Sequence, residues 1–263
     1  MKIEPGTPCL VTGASSGIGR AIALALGRRR CRVALVARSE GPLEELSAEI
    51  AAAGGEGLAL PADVTSEEQI GAAVAAAAGR FGGLSLLVAN AGVGRYAPVA
   101  EQPAEHVETT ITTNYVGLTR AVRHALPHLL AAAPAHVVGV ASSAGLIPHR
   151  TASAYCASKA ASIAYLSALR VEVKGRGVGV TWVCPGVVTT PFIERADLDP
   201  KRDLPRLNNL TVRALSADEV AATTVRAVER DRREVVMPAM MRVWVFVRRL
   251  APGLGDWVQR VTG

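Results

Sequence analysis

Thr7-Pro8-Cys9-Leu10-Val11-Thr12-Gly13-Ala14-Ser15-Ser16-Gly17-Ile18-Gly19 is the stretch on which the fold turns. Its first half is a short apolar run of β character; its second half is a turn with glycines at 13, 17 and 19. A helix-patterned segment, Gly17–Arg30, follows with Ile22, Leu24 and Leu26 on its apolar side. A strand that enters a glycine turn and leaves it as a helix brings backbone N–H groups close to a pyrophosphate at the helix N-terminus. Ser15 and Ser16 add hydroxyls there. The spacing is GxxxGxG, and glycine turns also join strands to helices for structural reasons alone. The position between a first strand and a first helix is what points to a dinucleotide.

Outward from this turn, apolar runs alternate with longer helical patterns. Strand-like runs fall at Cys31–Ala37, Gly57–Leu60, Leu84–Ala89, His136–Ala141, Val178–Cys184 and Glu234–Val236. Between them lie helical patterns at Pro42–Ala53, stopped by Gly54-Gly55, and after Ser66, which caps a helix carrying Glu67 and Glu68 in its first turn. Others cover roughly Ala104–Leu130, with a break expected near Pro127, then Ser153–Lys174 and Ala217–Arg230. Strands apolar on both faces and separated by helices predict an α/β fold: a Rossmann-type doubly wound parallel sheet in three α/β/α layers, with ligands at the carboxyl ends of the strands. No linker divides residues 1–239, which read as one domain with an insertion loop at about 190–213; residues 240–263 read as a helical tail.

The 263 residues carry 29 Lys+Arg against 23 Asp+Glu, a net charge of +6, which suits an anionic small ligand. Aromatic residues are 4% and the basic residues form no dense block, which argues against nucleic acid; 49% hydrophobic residues exclude disorder. Glu4, Pro5, Gly6 and Pro8 interrupt the start before a signal-peptide core builds, and no run nears the roughly 20 apolar residues of a membrane span. A cytoplasmic protein is expected. Cys9, Cys31, Cys156 and Cys184 lack CxxC spacing and are expected as reduced thiols, with no zinc site.

Four further segments bear on chemistry. The second strand run ends at Arg38, where an acidic residue would accept the ribose 2′-hydroxyl of NAD; a guanidinium instead offers a partner to a 2′-phosphate, unless it is a solvated strand-end arginine. Asp63-Val64 follows the third strand run and Asn90-Ala91-Gly92 the fourth. Tyr155-Cys156-Ala157-Ser158-Lys159 opens the long helix after the fifth. With the glycine turn, and in this order over about residues 7–236, these motifs make the chain resemble the short-chain dehydrogenase/reductase family.

At a spacing of four, Tyr155 and Lys159 share a helix face. A phenol with a pKa near 10 is a poor base at neutral pH, and an adjacent ammonium favours its phenolate. Tyr155 is then expected to exchange a proton with a carbinol while a nicotinamide exchanges hydride. The resemblance implies that Ser142, thirteen residues before Tyr155, orients the substrate oxygen; Ser143 is its competitor. It implies that Asn114 positions a water beside the lysine, where a satisfied core amide is the plain alternative. It places Gly13, Ser15, Ser16, Gly17, Ile18 and Gly19 at the pyrophosphate. Asp63 and Val64 fall at the adenine, Asn90 and Gly92 at the ribose turn, and Tyr155 and Lys159 at the nicotinamide ribose. Pro185, Gly186, Val188 and Thr190 fall near the carboxamide. Ala89 departs from the pattern, where many members carry a second asparagine.

The expected activity is an NADP(H)-dependent oxidoreductase interconverting a secondary alcohol and a ketone, with NAD(H) the alternative cofactor. A 3-oxoacyl-thioester reductase and a non-catalytic NADP-binding sensor or scaffold are the other readings. Leu146, Ile147, Pro148 and His149 are expected along one substrate wall, Val93, Gly94 and Arg95 along another, and Phe192, Ile193 and the loop to about Arg213 as a lid. That wall is mostly apolar and suggests a hydrophobic substrate. His149 has a second reading as a partly exposed side chain. A homodimer or homotetramer is expected from the resemblance. In the tail, Met240, Trp244 and Val247 are expected on one helical stripe, and Leu254, Trp257, Val258 and Val261 on a second beyond Pro252-Gly253. It either packs on protein or lies in a membrane interface.

Overall fold

Valine-, leucine- and alanine-rich segments pair side by side in the computed structural model, which describes residues 1–196, 213–251 and 253. The strands are β1 (Pro8–Thr12), β2 (Arg32–Ala37), β3 (Glu56–Pro61), β4 (Leu86–Ala89), β5 (Ala135–Val140), β6 (Val178–Pro185), β7 (Val188–Thr189), β8 (Leu215–Ser216) and β9 (Glu234–Met237). Seven form one parallel sheet in the order β3-β2-β1-β4-β5-β6-β9, and β7 and β8 pair separately. The order reverses between β1 and β4, the switch point where doubly wound sheets open a crevice.

Helices cover both faces: α1 (Gly17–Gly27), α2 (Glu40–Ala52), α3 (Glu67–Phe81), α4 (Ala104–Ile111), α5 (Gly117–Ala131), α6 (Ser153–Glu172), α7 (Phe192–Arg195), α8 (Ala217–Glu229) and α9 (Met240–Leu250). Alternation along the strands divides the core. Cys9, Val11, Val33 and Leu35 join Ile22 and Leu26 of α1, Leu46 of α2 and Val225 of α8. Leu10, Ala34, Leu87 and Val137 point the other way, to Val74 of α3, Val122 of α5 and Leu166 of α6. Ser66 caps α3 by accepting from the Gln69 N–H at 3.3 Å, and Ser216 and Glu219 close a reciprocal capping box on α8.

Two expectations need correction. The long helix does not break at Pro127; it runs through it, and a π-turn at Thr112–Val116 joins α4 to α5 instead. Pro127 and Arg123 are both exposed, so water can serve the carbonyl that the missing N–H leaves free. In α9 the inward residues are Met241, packed on the core, and the buried Val245, whereas Met240 faces solvent and Trp244 is half-buried. The anticipated Met240–Trp244–Val247 stripe is therefore rotated by one residue. Residues 197–212 of the insertion loop, and Pro252, Leu254, Trp257, Val258 and Val261 of the tail, lie outside the described residues. Among the described residues no helix is long and apolar enough to cross a membrane.

Leu166 seats α6 on the sheet: it is wholly buried, and a Cβ on Gly139 of β5 would fall 2.2 Å from its Cδ1. Leu166→Ala is expected to cost ~2–5 kcal/mol of stability in chemical denaturation, as cavity-forming core truncations do. A loss well below that would mean that α6 is held mainly by its polar contacts.

Candidate active site

The carboxyl ends of β1, β4, β5 and β6 open into a cleft of about 1140 Å³. At its floor Gly13 and Gly17 take φ of +65° and +56°, which side chains rarely adopt. A Cβ on Gly19 would lie 2.2 Å from the Gly13 carbonyl oxygen and 2.4 Å from Asn90 Nδ2, so α1 can press onto the turn only with glycine there. Thr12 and Asn90 lock the switch point. The N–H groups of Asn90 and Ala91 donate to Thr12 Oγ1 at 3.0 and 3.2 Å, and Asn90 Nδ2 donates to the carbonyls of Thr12 and Gly13 at 3.0 and 3.1 Å. Ser15, Ser16, Gly17 and Ile18 line the cleft where α1 begins, and α1 has no acidic residue in its first turn, leaving the positive end of the helix dipole for an anion.

At one end Arg38 and Ser39, after β2, and Asp63 and Val64, after the neighbouring β3, line the cleft. Asp63 Oδ1 accepts from the N–H and hydroxyl of Thr65, both at 2.8 Å, which fixes the turn after β3. Arg38 is exposed at the cleft edge, and among the described residues no carboxylate pairs with it.

The other end is built by α6. Tyr155 is 8% exposed and sits between Tyr96 and Phe192, with ring centroids 5.9 and 5.6 Å away. One helical turn on, the Lys159 ammonium lies 5.8 Å from the Tyr155 ring and donates to the Val140 carbonyl at 2.9 Å. Ser142 accepts from the Ala144 N–H at 3.1 Å and so caps the single 3₁₀ turn Ser143–Gly145. Burial pushes the Tyr155 phenol up to about 12, against the pull of the Ser142 hydroxyl beside it. Burial also brings Lys159 down to about 8, and lifts the Cys184 thiol to about 12, so that thiol stays neutral. Desolvation governs the phenol, and at neutral pH Tyr155 carries its proton.

Asn114 stands behind the wall, 1% exposed, in the π-turn. Its Oδ1 accepts from the Val93 N–H at 2.7 Å, and its Nδ2 donates to the Val93 carbonyl and to Ser158 Oγ, both at 2.9 Å. The side chain is therefore fully engaged as a clamp between the segment after β4 and α6. Gly19 is likewise packed behind the lining. The remaining expected residues, including Gly92, Pro185, Gly186, Val188 and Thr190, line the cleft.

On the substrate side, Val93, Gly94, Arg95, Phe192, Ile193 and His149 line the cleft as expected. Leu146 and Ile147 do not: both pack against the core, and Pro148 is exposed. The cause is Gly145, where a Cβ would fall 2.8 Å from the Lys159 carbonyl carbon; the turn lies flat on α6 and carries the next residues inward. Burial lowers the His149 pKa. Tyr96 and Met241 are cleft residues that sequence reasoning missed, and Arg195 lines the cleft from the expected lid segment. Arg195 Nη1 donates to Ser16 Oγ at 3.3 Å, and Arg95 Nη1 to the Arg195 carbonyl at 2.9 Å.

Asn114→Ala strands the Val93 N–H and carbonyl. A loss of ~1–3 kcal/mol is expected in urea denaturation, and an unchanged midpoint would show that Val93 finds other partners.

The family model for short chain dehydrogenase matches residues 8–201. The probable oxidoreductase EphD of Mycobacterium tuberculosis is 32% identical over 84% of this chain, which spans only 39% of that protein's length. The ketoacyl reductase HetN of a Nostoc species is 29% identical over 100% of this chain and 91% of its own. Among solved structures, a short chain dehydrogenase/reductase from Burkholderia phymatum in complex with NAD superimposes with a TM-score of 0.86 at 28% identity, over 97% of this chain and 96% of that one. One from Burkholderia cenocepacia in complex with NADP gives 0.79 at 29%, over 88% and 96%. The switch-point crevice, the glycine turn beneath it and this match over most of the chain have one meaning: the protein belongs to the short-chain dehydrogenase/reductase family of oxidoreductases.

Proposed function

We propose that the protein interconverts a hydrophobic secondary alcohol and its ketone with NADP(H). The observation that carries this reading is one continuous cleft with an unpaired guanidinium, Arg38, at one end and Tyr155, Lys159 and Ser142 together at the other. The glycine turn and the open start of α1 fit a pyrophosphate, and the Arg38 guanidinium fits a 2′-phosphate. Hydride donation or acceptance at the carbinol carbon is the chemistry that a bound nicotinamide supplies.

The chain handles the proton. In the reducing direction Tyr155, protonated at neutral pH, donates to the substrate oxygen, and the Ser142 hydroxyl holds that oxygen. Lys159 is the cation beside the phenol and stabilises the phenolate left behind. Tyr96, Phe192, Ile193 and Met241 give the substrate end its apolar wall and exclude water. A 3-oxoacyl-thioester reductase is the second reading. It draws on the name of the HetN relative and on Arg95 and Arg195 at the cleft, which suit an anionic acyl carrier.

Tyr155→Phe is expected to retain NADPH binding, read by fluorescence titration, and to lose on the order of a hundredfold or more in turnover across a ketone panel. Full activity would remove Tyr155 from the chemistry. The phenol is lifted to about 12 and Lys159 lowered to about 8. Wild-type ketone reduction should therefore hold level through neutral pH and decline above about 8, as the cation is lost. Alcohol oxidation, which needs the phenol to release its proton, should rise over that interval. Arg38→Asp is expected to raise the NADPH KM about tenfold or more and to favour NADH; an unchanged ratio of kcat/KM values for the two cofactors would place the 2′-phosphate elsewhere.

A further inference from the structure

A second concavity, of about 570 Å³, opens between α8, β9 and α9, away from the catalytic residues. Arg226, Arg230, Arg232, Arg242 and Arg249 line it, and Glu234 is the one carboxylate among the lining residues. Glu234 Oε1 already accepts from Trp182 Nε1 at 3.0 Å and meets Arg249 Nη2 at 3.4 Å. Among the described residues no carboxylate pairs with Arg226, Arg230, Arg232 or Arg242. Arg226 donates to Thr223 Oγ1 and Arg242 to the Val236 carbonyl, neither of which neutralises charge. Five arginines against one carboxylate leave positive potential concentrated here.

The helix forming one wall is amphipathic in an unusual sense. Its inward side is satisfied by Met241 and Val245, yet its outward side is also apolar: Met240, Val243, Phe246 and Leu250 are 49%, 57%, 61% and 70% exposed. At about 100° per residue these four and the half-buried Val247 share an arc of about 120°. Arg242 and Arg249 border that arc on the side of the concavity. A large apolar stripe beside a cluster of unpaired cations is a surface built for an occupant.

The charge selects which one. A second copy on a two-fold axis would set the same patch against itself, arginine against arginine. An occupant with an apolar interior beneath a layer of phosphates answers both halves at once. We propose that α9 and the arginine concavity dock on an anionic lipid bilayer. Phe246, Val243, Leu250 and Met240 enter the acyl boundary, and the arginines sit at phosphate level. Met241, on the far side of the same helix, lines the catalytic cleft, so α9 lies between that cleft and the bilayer. The surface lies outside the reacting groups and does not rest on the reaction proposed above.

The test is co-sedimentation of the full chain with vesicles of phosphatidylcholine alone or mixed equally with phosphatidylglycerol. Binding to the mixed vesicles only, released by added salt, is expected. Phe246→Glu should abolish it, and the pair Arg230→Gln, Arg232→Gln should weaken it about fivefold per charge removed. Thermal midpoint and turnover on a water-soluble ketone should stay at wild-type values in each variant. Absence of binding to the anionic vesicles overturns the proposal, whether or not an acidic carrier protein binds the same arginines. Equal binding to neutral vesicles, or unchanged binding in both variants, overturns it too. So does a wild-type dimer in sedimentation velocity that Phe246→Glu converts to monomer, since the apolar arc then belongs to a second copy.

Discussion

Everything in the site hangs from a junction too crowded for a single extra methyl group. Where β1 ends, Gly13 and Gly19 close on each other and on Asn90, and only bare backbone fits. This contact sets α1 against β1 and so aims the helix N-terminus at the crevice. It also starts a hydrogen-bonded path that crosses the molecule. Asn90 holds the turn, and Val93, three residues along, is held by Asn114. Asn114 donates to Ser158, which donates at 2.8 Å to the carbonyl of Tyr155. The phosphate end and the proton-transfer end are thus parts of one rigid frame, which is what precise placement of reacting groups requires.

Within that frame the electrostatics are sparse. Lys159 is buried, and its ammonium donates a hydrogen bond to a backbone carbonyl, not to a carboxylate. Desolvation acts in opposite directions on its two titrating neighbours: it raises the phenol and lowers the ammonium, and both effects favour neutral forms. Lys159, lowered only to about 8, still carries its charge at neutral pH beside a phenol that keeps its proton. A carboxylate partner for Lys159 would hold the ammonium more firmly and weaken its response to a charge appearing on the phenol.

Most of the architecture was legible in the sequence because it depends on local rules. Strand runs, glycine turns, the Ser66 cap and the i,i+4 pair each announce themselves within a few residues. What escaped depends on where side chains meet in space. Leu146 and Ile147 follow the catalytic serine in sequence, yet turn into the core because Gly145 lies flat on α6. Tyr96 reaches the cleft from a loop that obeys no periodicity. In α9 the apolar residues surround the helix, so the pattern did not fix its rotation; the contact of Met241 with the body did. Pro127 misled for a related reason: proline costs a hydrogen bond, and on the solvent face of a helix water makes good the loss.

The helix that carries Asn114 meets two demands with one face. A regular α-helix has a single phase, so every residue's direction follows from the first. At about 100° per residue Asn114, Leu118, Val122, Ala125 and Leu129 share an arc of about 80°, so the side that clamps Val93 and Ser158 is also the side that packs into the core. The widened turn at Thr112–Val116 stands at the head of that face and joins it to α4 without interrupting the rod. Chemistry and core packing thereby share one register. A single-residue insertion or deletion between them would force the chain to sacrifice one to keep the other.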